Sequence, residues 1–537
     1  MFSASQENAR NQILEQFEEK DIVLLHGLTG SGKTEVYIDL IQQVIDSGSQ
    51  ALYLLPEIAL TTQIVSRLKK VFGDKMGVYH SKFSDNERVD IWKGVHSGHF
   101  SLVVGVRSSI FLPFKDLGLI IVDEEHDSSY KQVDPAPRYN ARDTAMVLGK
   151  THKAKVLLGS ATPSIETYHH AINGTFGFVQ LLERFAHATL PDIHPVKPNY
   201  ATVENASSFN IQLCDALKAA LENNEQAIIF QNRRGYSPFI TCNECNHVPQ
   251  CSNCAVSLTY HQYSKDLRCH YCGYTQGVPT NCSSCGSTNL RNVGLGTERI
   301  EDELSQLFPE ARIQRMDLDT TRKKHSYQQI IDAFSNGQTD ILVGTQMLSK
   351  GMDFGGVSLV GIVDTDRMMF FPDFRSHERA FQLLMQVSGR AGRREKKGHV
   401  FIQTNTPDHP IIETVKKGDY YQFFKREIVE REQFHYPPFV RIIKITTKHI
   451  SSETCDRAAH RLAKILINKF GQHRIIGPQE PVISKIRNQF LMNIQIKLER
   501  KGIDLKKAKD MLQEIVDHVK TLSDYKGTTI IIDVDPV

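Results

Sequence analysis

At 537 residues the chain is too long for one hydrophobic core, and its 40% hydrophobic and 23% charged content is that of a globular protein of three or four domains. A net charge of +3, from 64 basic and 61 acidic side chains, excludes a global field able to hold a polyanion, so any such partner needs local basic patches. No apolar run reaches the ~20 residues of a membrane span and the N-terminus lacks signal-peptide architecture, so a cytoplasmic protein is expected.

Residues 3–20 read as a capped amphipathic helix leading into a strand. Gln6 in it stands at a distance suited to reading an adenine edge, or is a solvated helix glutamine. The apolar run Ile22-Val23-Leu24-Leu25 then leads into Gly27-Leu28-Thr29-Gly30-Ser31-Gly32-Lys33-Thr34 and a helical stretch, the strand–loop–helix setting of a phosphate-binding loop. Glycines let backbone N–H groups close around a triphosphate at a helix N-terminus. Lys33 would reach the β- and γ-phosphates of ATP, and the Thr34 hydroxyl would ligate Mg²⁺.

Apolar strands at 51–55, 77–80, 101–104, 119–122 and 155–158 alternate with helical stretches, implying a parallel sheet covered on both faces. The run 119–122 ends in Asp123-Glu124-Glu125-His126, where open α/β sheets place their ligand crevice. Asp123 would hold the Mg²⁺ shell, and Glu124 would deprotonate the attacking water. Gly159-Ser160-Ala161-Thr162-Pro163-Ser164 ends a further strand, and its hydroxyls could bond the acidic box and sense the γ-phosphate. Arg107 is a candidate phosphate contact or a structural arginine.

A second strand set at 227–236, 314–317, 341–343, 357–363 and 400–403 implies a second α/β lobe. Its last helix ends in Gln386-Val387-Ser388-Gly389-Arg390-Ala391-Gly392-Arg393. Arg390 and Arg393 share a helix face, either as arginine fingers toward the first lobe or as a basic helix end. Inside this lobe Cys242, Cys245, Cys251, Cys254, Cys269, Cys272, Cys282 and Cys285 form four C-x₂-C knuckles, eight of the ten cysteines. Eight thiolates supply two closed Cys₄ Zn²⁺ sites, with iron–sulfur clusters as the rival. Sequential and nested pairings are both open, and the short gap from Cys245 to Cys251 favours the nested one. His261, Tyr263, Arg268, His270, Tyr271 and Tyr274 in this insertion would stack on bases, meet a partner or only pad a small module. Residues 431–537 read strand, helix, two strands, helix, strand, a βαββαβ order that predicts a ferredoxin-like α+β domain with Lys485, Arg487 and Arg500 as candidate DNA contacts.

Taken in order, GLTGSGKT, DEEH, GSATPS, GTQMLSKG and QVSGRAGR resemble superfamily 2 helicases, whose two RecA-like lobes sandwich ATP and walk on nucleic acid. The resemblance narrows with LPEIALTTQ (55–63), DEEHDSSYKQ (123–132), RYNARD (138–143), NRRGY (232–236), GLGTE (294–298), GTQMLSKGMDF (344–354), PDFR (372–375) and the closing DVDP (533–536). On these the chain resembles the PriA family of replication-restart helicases, also called primosomal protein N′, over essentially its whole length. That implies two RecA-like lobes at 1–194 and 195–430, a double zinc insertion at 240–290, and a DNA-binding domain at 431–537. It also implies a nucleoid-associated 3′→5′ DNA helicase that acts on single-stranded and forked DNA with primosome and single-strand-binding proteins. The segment after DEEH would couple DNA binding to hydrolysis through Tyr130, Lys131, Arg138, Tyr139 and Arg142. Here Pro137 and Asn140 replace the family's bulky aromatic and histidine, so the coupling would be weaker or lean more on Tyr130 and Tyr139. The fork-binding and winged-helix regions that usually precede the first lobe have no counterpart, so recognition of a 3′ end is not carried over. Two alternatives stay open: a translocase that does not separate strands, and a zinc-stabilised assembly scaffold.

Overall fold

A computed structural model describes residues 2–56, 62–80, 83–183, 191–198, 209–231, 239–254, 256–261, 265–293, 300–316, 326–345, 348, 356–392 and 397–537. NRRGY, GLGTE, Tyr263, Arg393, and most of LPEIALTTQ and GTQMLSKGMDF therefore lie outside the described residues.

The first lobe is a seven-stranded sheet in the order Met76–Tyr79, Leu102–Gly105, Gln50–Leu54, Leu117–Asp123, Lys155–Ser160, Ile22–Gly27, Gly177–Leu181. Every pairing is parallel, and the central strands are buried along nearly their full length, as helices on both faces require. The phosphate loop and the acidic box follow strands on either side of Lys155–Ser160, so their motifs meet at one sheet edge.

The second lobe is a six-stranded parallel sheet in the order Ile313–Met316, Ile341–Gly344, Gln226–Gln231, Val357–Val363, His399–Gln403, Asp192–Val196. Both sheets thus carry one strand that the sequence did not announce, Gly177–Leu181 and Asp192–Val196, and both are edge strands. An edge strand needs no continuous apolar run, and it tolerates Pro195, whose missing N–H would break a central ladder. Because Asp192 pairs with His399, the second lobe begins ahead of the expected residue 195.

Between Phe239–Cys242 and Leu290–Val293, which pair antiparallel, sits the insertion, with a three-stranded sheet of Thr259–His261, Asp266–Arg268 and Thr275–Gly277. The C-terminal domain is an antiparallel sheet in the order Ile475–Gln479, Gln489–Glu499, Val440–His449, Thr529–Val534. The helices Ser452–Phe470 and Leu505–Thr521 pack their Leu462, Leu466, Leu512 and Val516 onto Ile443, Ile445, Ile494 and Ile496. That strand order, with its βαββαβ sequence, is ferredoxin-like.

Candidate nucleotide and metal sites

The phosphate loop turns through Gly30 and Gly32 at φ 80° and 84°, left-handed conformations that favour glycine. Gly32 caps the helix Lys33–Asp46 without a side-chain hydrogen bond, leaving the N-terminal amides to face the loop. Lys33 Nζ donates to Gly27 O at 2.7 Å and Leu28 O at 3.4 Å. Gln6 is buried: its Oε1 accepts from Ser3 N in a capping box, and its Nε2 donates to Ser31 O at 3.1 Å. The solvated-glutamine reading of Gln6 is therefore overturned, because the side chain braces the loop. Ser31 Oγ is buried without a hydrogen-bond partner among the described residues, as expected of a group that faces a ligand phosphate.

At the end of Leu117–Asp123, Asp123 accepts from Tyr37 Oη at 3.1 Å, Tyr53 Oη at 3.2 Å and Glu124 N at 3.1 Å. Burial and the adjacent Glu124 carboxylate push its carboxyl up to about 6, against the pull of Lys33 and Tyr37. Neither tyrosine stands out in the sequence, though Tyr37 follows Lys33 by one helical turn. A Cβ at Gly159 would strike the Tyr37 hydroxyl, which is why the motif GSATPS opens on glycine.

Glu124 has φ 48°, a strained turn for a side-chain-bearing residue, and its buried Oε2 has no hydrogen-bond partner among the described residues. His126 Nδ1 lies 3.7 Å from that oxygen and 2.7 Å from Ser160 Oγ, which also accepts from Thr162 N. On its far side His126 Nε2 is 2.8 Å from Gln386 Nε2 of the second lobe. An amide can only donate there, so the proton sits on Nδ1 and is donated to Ser160. The orphaned carboxylate oxygen, the carboxylate of Asp123 and the glycine cradle fit a magnesium–nucleotide pair.

The helix Ser376–Ser388 presents Glu378, Gln382 and Gln386 on one face, four residues apart. Glu378 Oε1 accepts from Ile165 N at 2.8 Å, and Gln382 donates to Thr162 O and Pro163 O at 3.3 and 3.4 Å. The glutamine spacing was the one sequence signal for this seam. Gly389 lies against Thr29, where an added Cβ would come within 3.3 Å of Cγ2. Arg390 is buried beside Tyr327, and Arg393 lies outside the described residues.

The six DNA contacts expected in the first lobe separate into two groups. Tyr130 is buried and donates to Asp123 O at 2.6 Å and Leu54 O at 3.0 Å. Lys131 is buried in bonds to the end of the chain. Arg107 donates to Ser129 O and Lys131 O, and Arg142 pairs with Glu125 at 3.1 Å and donates to Ser164. Tyr130, Lys131 and Arg142 are corrected to internal braces, their polar groups being turned onto backbone and buried carboxylates, and the contacts of Arg107 fit the structural one of its two readings. Tyr139 packs edge-on against Phe111, which is 58% exposed, and Arg138 lies beside them paired to Asp134 at 3.5 Å. Phe111 carries no motif and was missed.

The cysteines gather as Cys242, Cys245, Cys282, Cys285 and as Cys251, Cys254, Cys269, Cys272, the nested arrangement, with the sulfurs of each set within 4.8 Å. Sulfur pairs at 3.5 and 3.6 Å approach the ~3.8 Å edge of a tetrahedron with 2.3 Å Zn–S bonds, and none forms a disulfide. The residues fit two structural Zn²⁺ ions. His270 donates to Glu480 O at 2.7 Å, and Tyr436 Oη donates to Cys254 O at 2.8 Å, so part of the aromatic set docks the insertion on the C-terminal domain.

Two parallel-sheet lobes with a phosphate loop and a DEEH box define the architecture of the DEAD/DEAH box helicase class. The DEAD/DEAH box helicase model matches residues 3–171 and the helicase conserved C-terminal domain 292–395. The PriA DNA helicase Cys-rich region matches 251–276, and the primosomal protein N C-terminal domain 432–537. The replication restart protein PriA of Bacillus subtilis strain 168 is 42% identical over 97% of this chain, which spans 64% of that protein. Those of Synechocystis and Haemophilus influenzae are 41% and 38% identical, over 88% and 96% of this chain and 58% and 70% of theirs. The chain belongs to the PriA replication restart family.

Proposed function

We propose that this chain is an ATP-driven DNA helicase that acts 3′→5′ at stalled or branched replication forks and serves primosome assembly. The observation that carries the reading is the 2.8 Å contact between His126 and Gln386, which joins the water-activating side of one lobe to the other lobe. A nucleotide-driven change in lobe spacing would make or break that contact, the behaviour expected of a stepping motor.

Lys33 and the amides after Gly30 would bind the β- and γ-phosphates, while Thr34 and Asp123 would hold Mg²⁺. When bound, the ion neutralises charge on the transferring phosphoryl group. Glu124 would take the proton of the attacking water through its orphaned oxygen, with the His126 ring 3.7 Å away and anchored on Ser160. Arg390, with Arg393, would meet charge developing on the γ-phosphate. Phe111, Tyr139 and Arg138 would receive a single strand by stacking and phosphate contact, with Lys485, Arg487 and Arg500 as further contacts. The Cys₄ pairs hold the insertion in shape. Primosome and single-strand-binding proteins are the proposed partners, and the nucleoid the proposed site of action.

The test is unwinding of forks bearing a 3′ or a 5′ single-stranded tail, with ATP consumption followed in the same reaction. Release from the 3′-tailed fork alone, lost in Lys33→Ala, is expected. DNA-stimulated ATP use without release would instead assign a translocase, and loading activity that survives Lys33→Ala would assign a scaffold.

A further inference from the structure

The closing motif DVDP has no part in the reaction described above, yet it lies where the C-terminal domain meets the first lobe. Its first residues end the strand Thr529–Val534, where Val534 pairs with Ile443 inside the C-terminal sheet. From that end the chain grips the first lobe. Asp533 Oδ1 lies 2.8 Å from Lys131 Nζ, which also donates to Val534 O at 2.7 Å and to Arg138 O at 2.9 Å. The Lys131 side chain is 1% exposed, so this ammonium is held by protein acceptors in place of water. Breaking such a buried, multiply bonded charge is costly, which makes the linkage rigid.

One residue along the chain, Tyr130 donates to the backbone carbonyl of Asp123 at 2.6 Å. Adjacent side chains of one short turn thus hold the C-terminal strand on one side and Asp123, the aspartate that would hold magnesium, on the other. Arg107 stiffens the turn by donating to Ser129 O and Lys131 O at 3.3 Å. The next tail residue, Asp535, is anchored within its own domain by Arg441 at 3.2 Å and by its N–H to Ile442 O at 2.8 Å.

We propose that Asp533 and Lys131 form a clasp that transmits the position of the C-terminal domain through Tyr130 to Asp123, making Lys131 a positioning residue for DNA-stimulated ATP hydrolysis. The clasp rests on the motor reading above. A DNA strand that shifts the C-terminal domain would pull on the loop beside the nucleotide site without any side chain of the clasp touching DNA.

The test measures ATP hydrolysis by the full chain with and without a single-stranded oligothymidylate, alongside oligothymidylate affinity by fluorescence anisotropy. Asp533→Asn is expected to keep basal hydrolysis and DNA affinity and to lose DNA stimulation by roughly two- to thirtyfold. Lys131→Met is expected to lose stimulation comparably, and the double variant no more than the worse single one. Full stimulation in Asp533→Asn, or losses that add, overturns the clasp while the motor reading stands. Should Asp533→Asn not fold, hydrogen exchange on the unmodified protein decides: oligothymidylate should change residues 128–132 and 529–535 together, and a change in one alone overturns the clasp. An unmodified chain that hydrolyses ATP with no response to DNA overturns the motor reading and the clasp together.

Discussion

Gln386 and His126 stand 2.8 Å apart across the two lobes, an amide nitrogen against an imidazole nitrogen. The same imidazole lies 2.7 Å from Ser160 and 3.7 Å from the Glu124 carboxylate. Gln386 therefore selects the His126 tautomer from another lobe. Gln386→Ala removes that selection while leaving the phosphate loop intact. DNA-stimulated turnover should fall by roughly 10- to 100-fold with ATP affinity little changed, as for a displaced orienting group. Steady-state kinetics with a nucleotide-binding titration checks this, and unchanged turnover would remove Gln386 from the coupling.

A second prediction concerns the ionic knot between the lobes. Arg431 is buried, with Glu378 at 2.6 Å, Glu166 at 3.4 Å and Pro437 O at 3.2 Å. Burial alone would raise the Glu166 carboxyl, but Arg375, Arg431 and Arg142 draw it down to about 2. Arg431→Met leaves the Glu378 carboxylate without its guanidinium, while Glu166 keeps Arg375 at 2.7 Å, and should lower stability by about 3–5 kcal/mol, read as an earlier denaturant midpoint. The double replacement of Arg431 and Glu378 by apolar residues, which leaves the Arg375–Glu166 pair in place, should recover much of that loss.

Metal content gives a third. The purified protein should carry about two zinc ions, and Cys245→Ser or Cys272→Ser should each remove about one. Because the two sets share no ligand, the losses should add in the double variant. Elemental analysis decides, and iron in place of zinc would overturn the assignment.

Acid sensitivity gives the fourth. His26 sits behind the phosphate loop among Tyr168, Phe178 and Tyr420. Burial, aided by Lys33, holds its imidazole down at about 4, although the Ala161 carbonyl pulls the other way. The unfolded chain takes up this proton near pH 6.5 and the native state only near 4, so the contribution is present above 6.5 and is lost as pH falls through that window. The loss for this one residue is roughly 3 kcal/mol. Denaturant melts between pH 7 and 4 should show a flatter pH dependence in His26→Gln than in the unmodified protein.

The amino-acid sequence by itself determined the candidate nucleotide site. Glycines at Gly30 and Gly32, the lysine and hydroxyl after them, and two carboxylates ending an apolar strand are local patterns whose chemistry follows from residue type and spacing. Four C-x₂-C knuckles likewise announced two metal sites, and the βαββαβ rhythm announced the last domain. What the sequence left open depended on contacts between distant residues. Pairing of the knuckles required the fold to bring Cys242 to Cys285. Tyr37 and Tyr53 became ligands of Asp123 only because the helix and strand carrying them converge there. Tyr130 and Lys131, expected to couple DNA binding to hydrolysis, are buried, Tyr130 against Leu54 and Asp123 of its own lobe and Lys131 against the strand Thr529–Val534. Local spacing records which groups a segment offers, and only tertiary packing decides whether water, DNA or another part of the chain receives them.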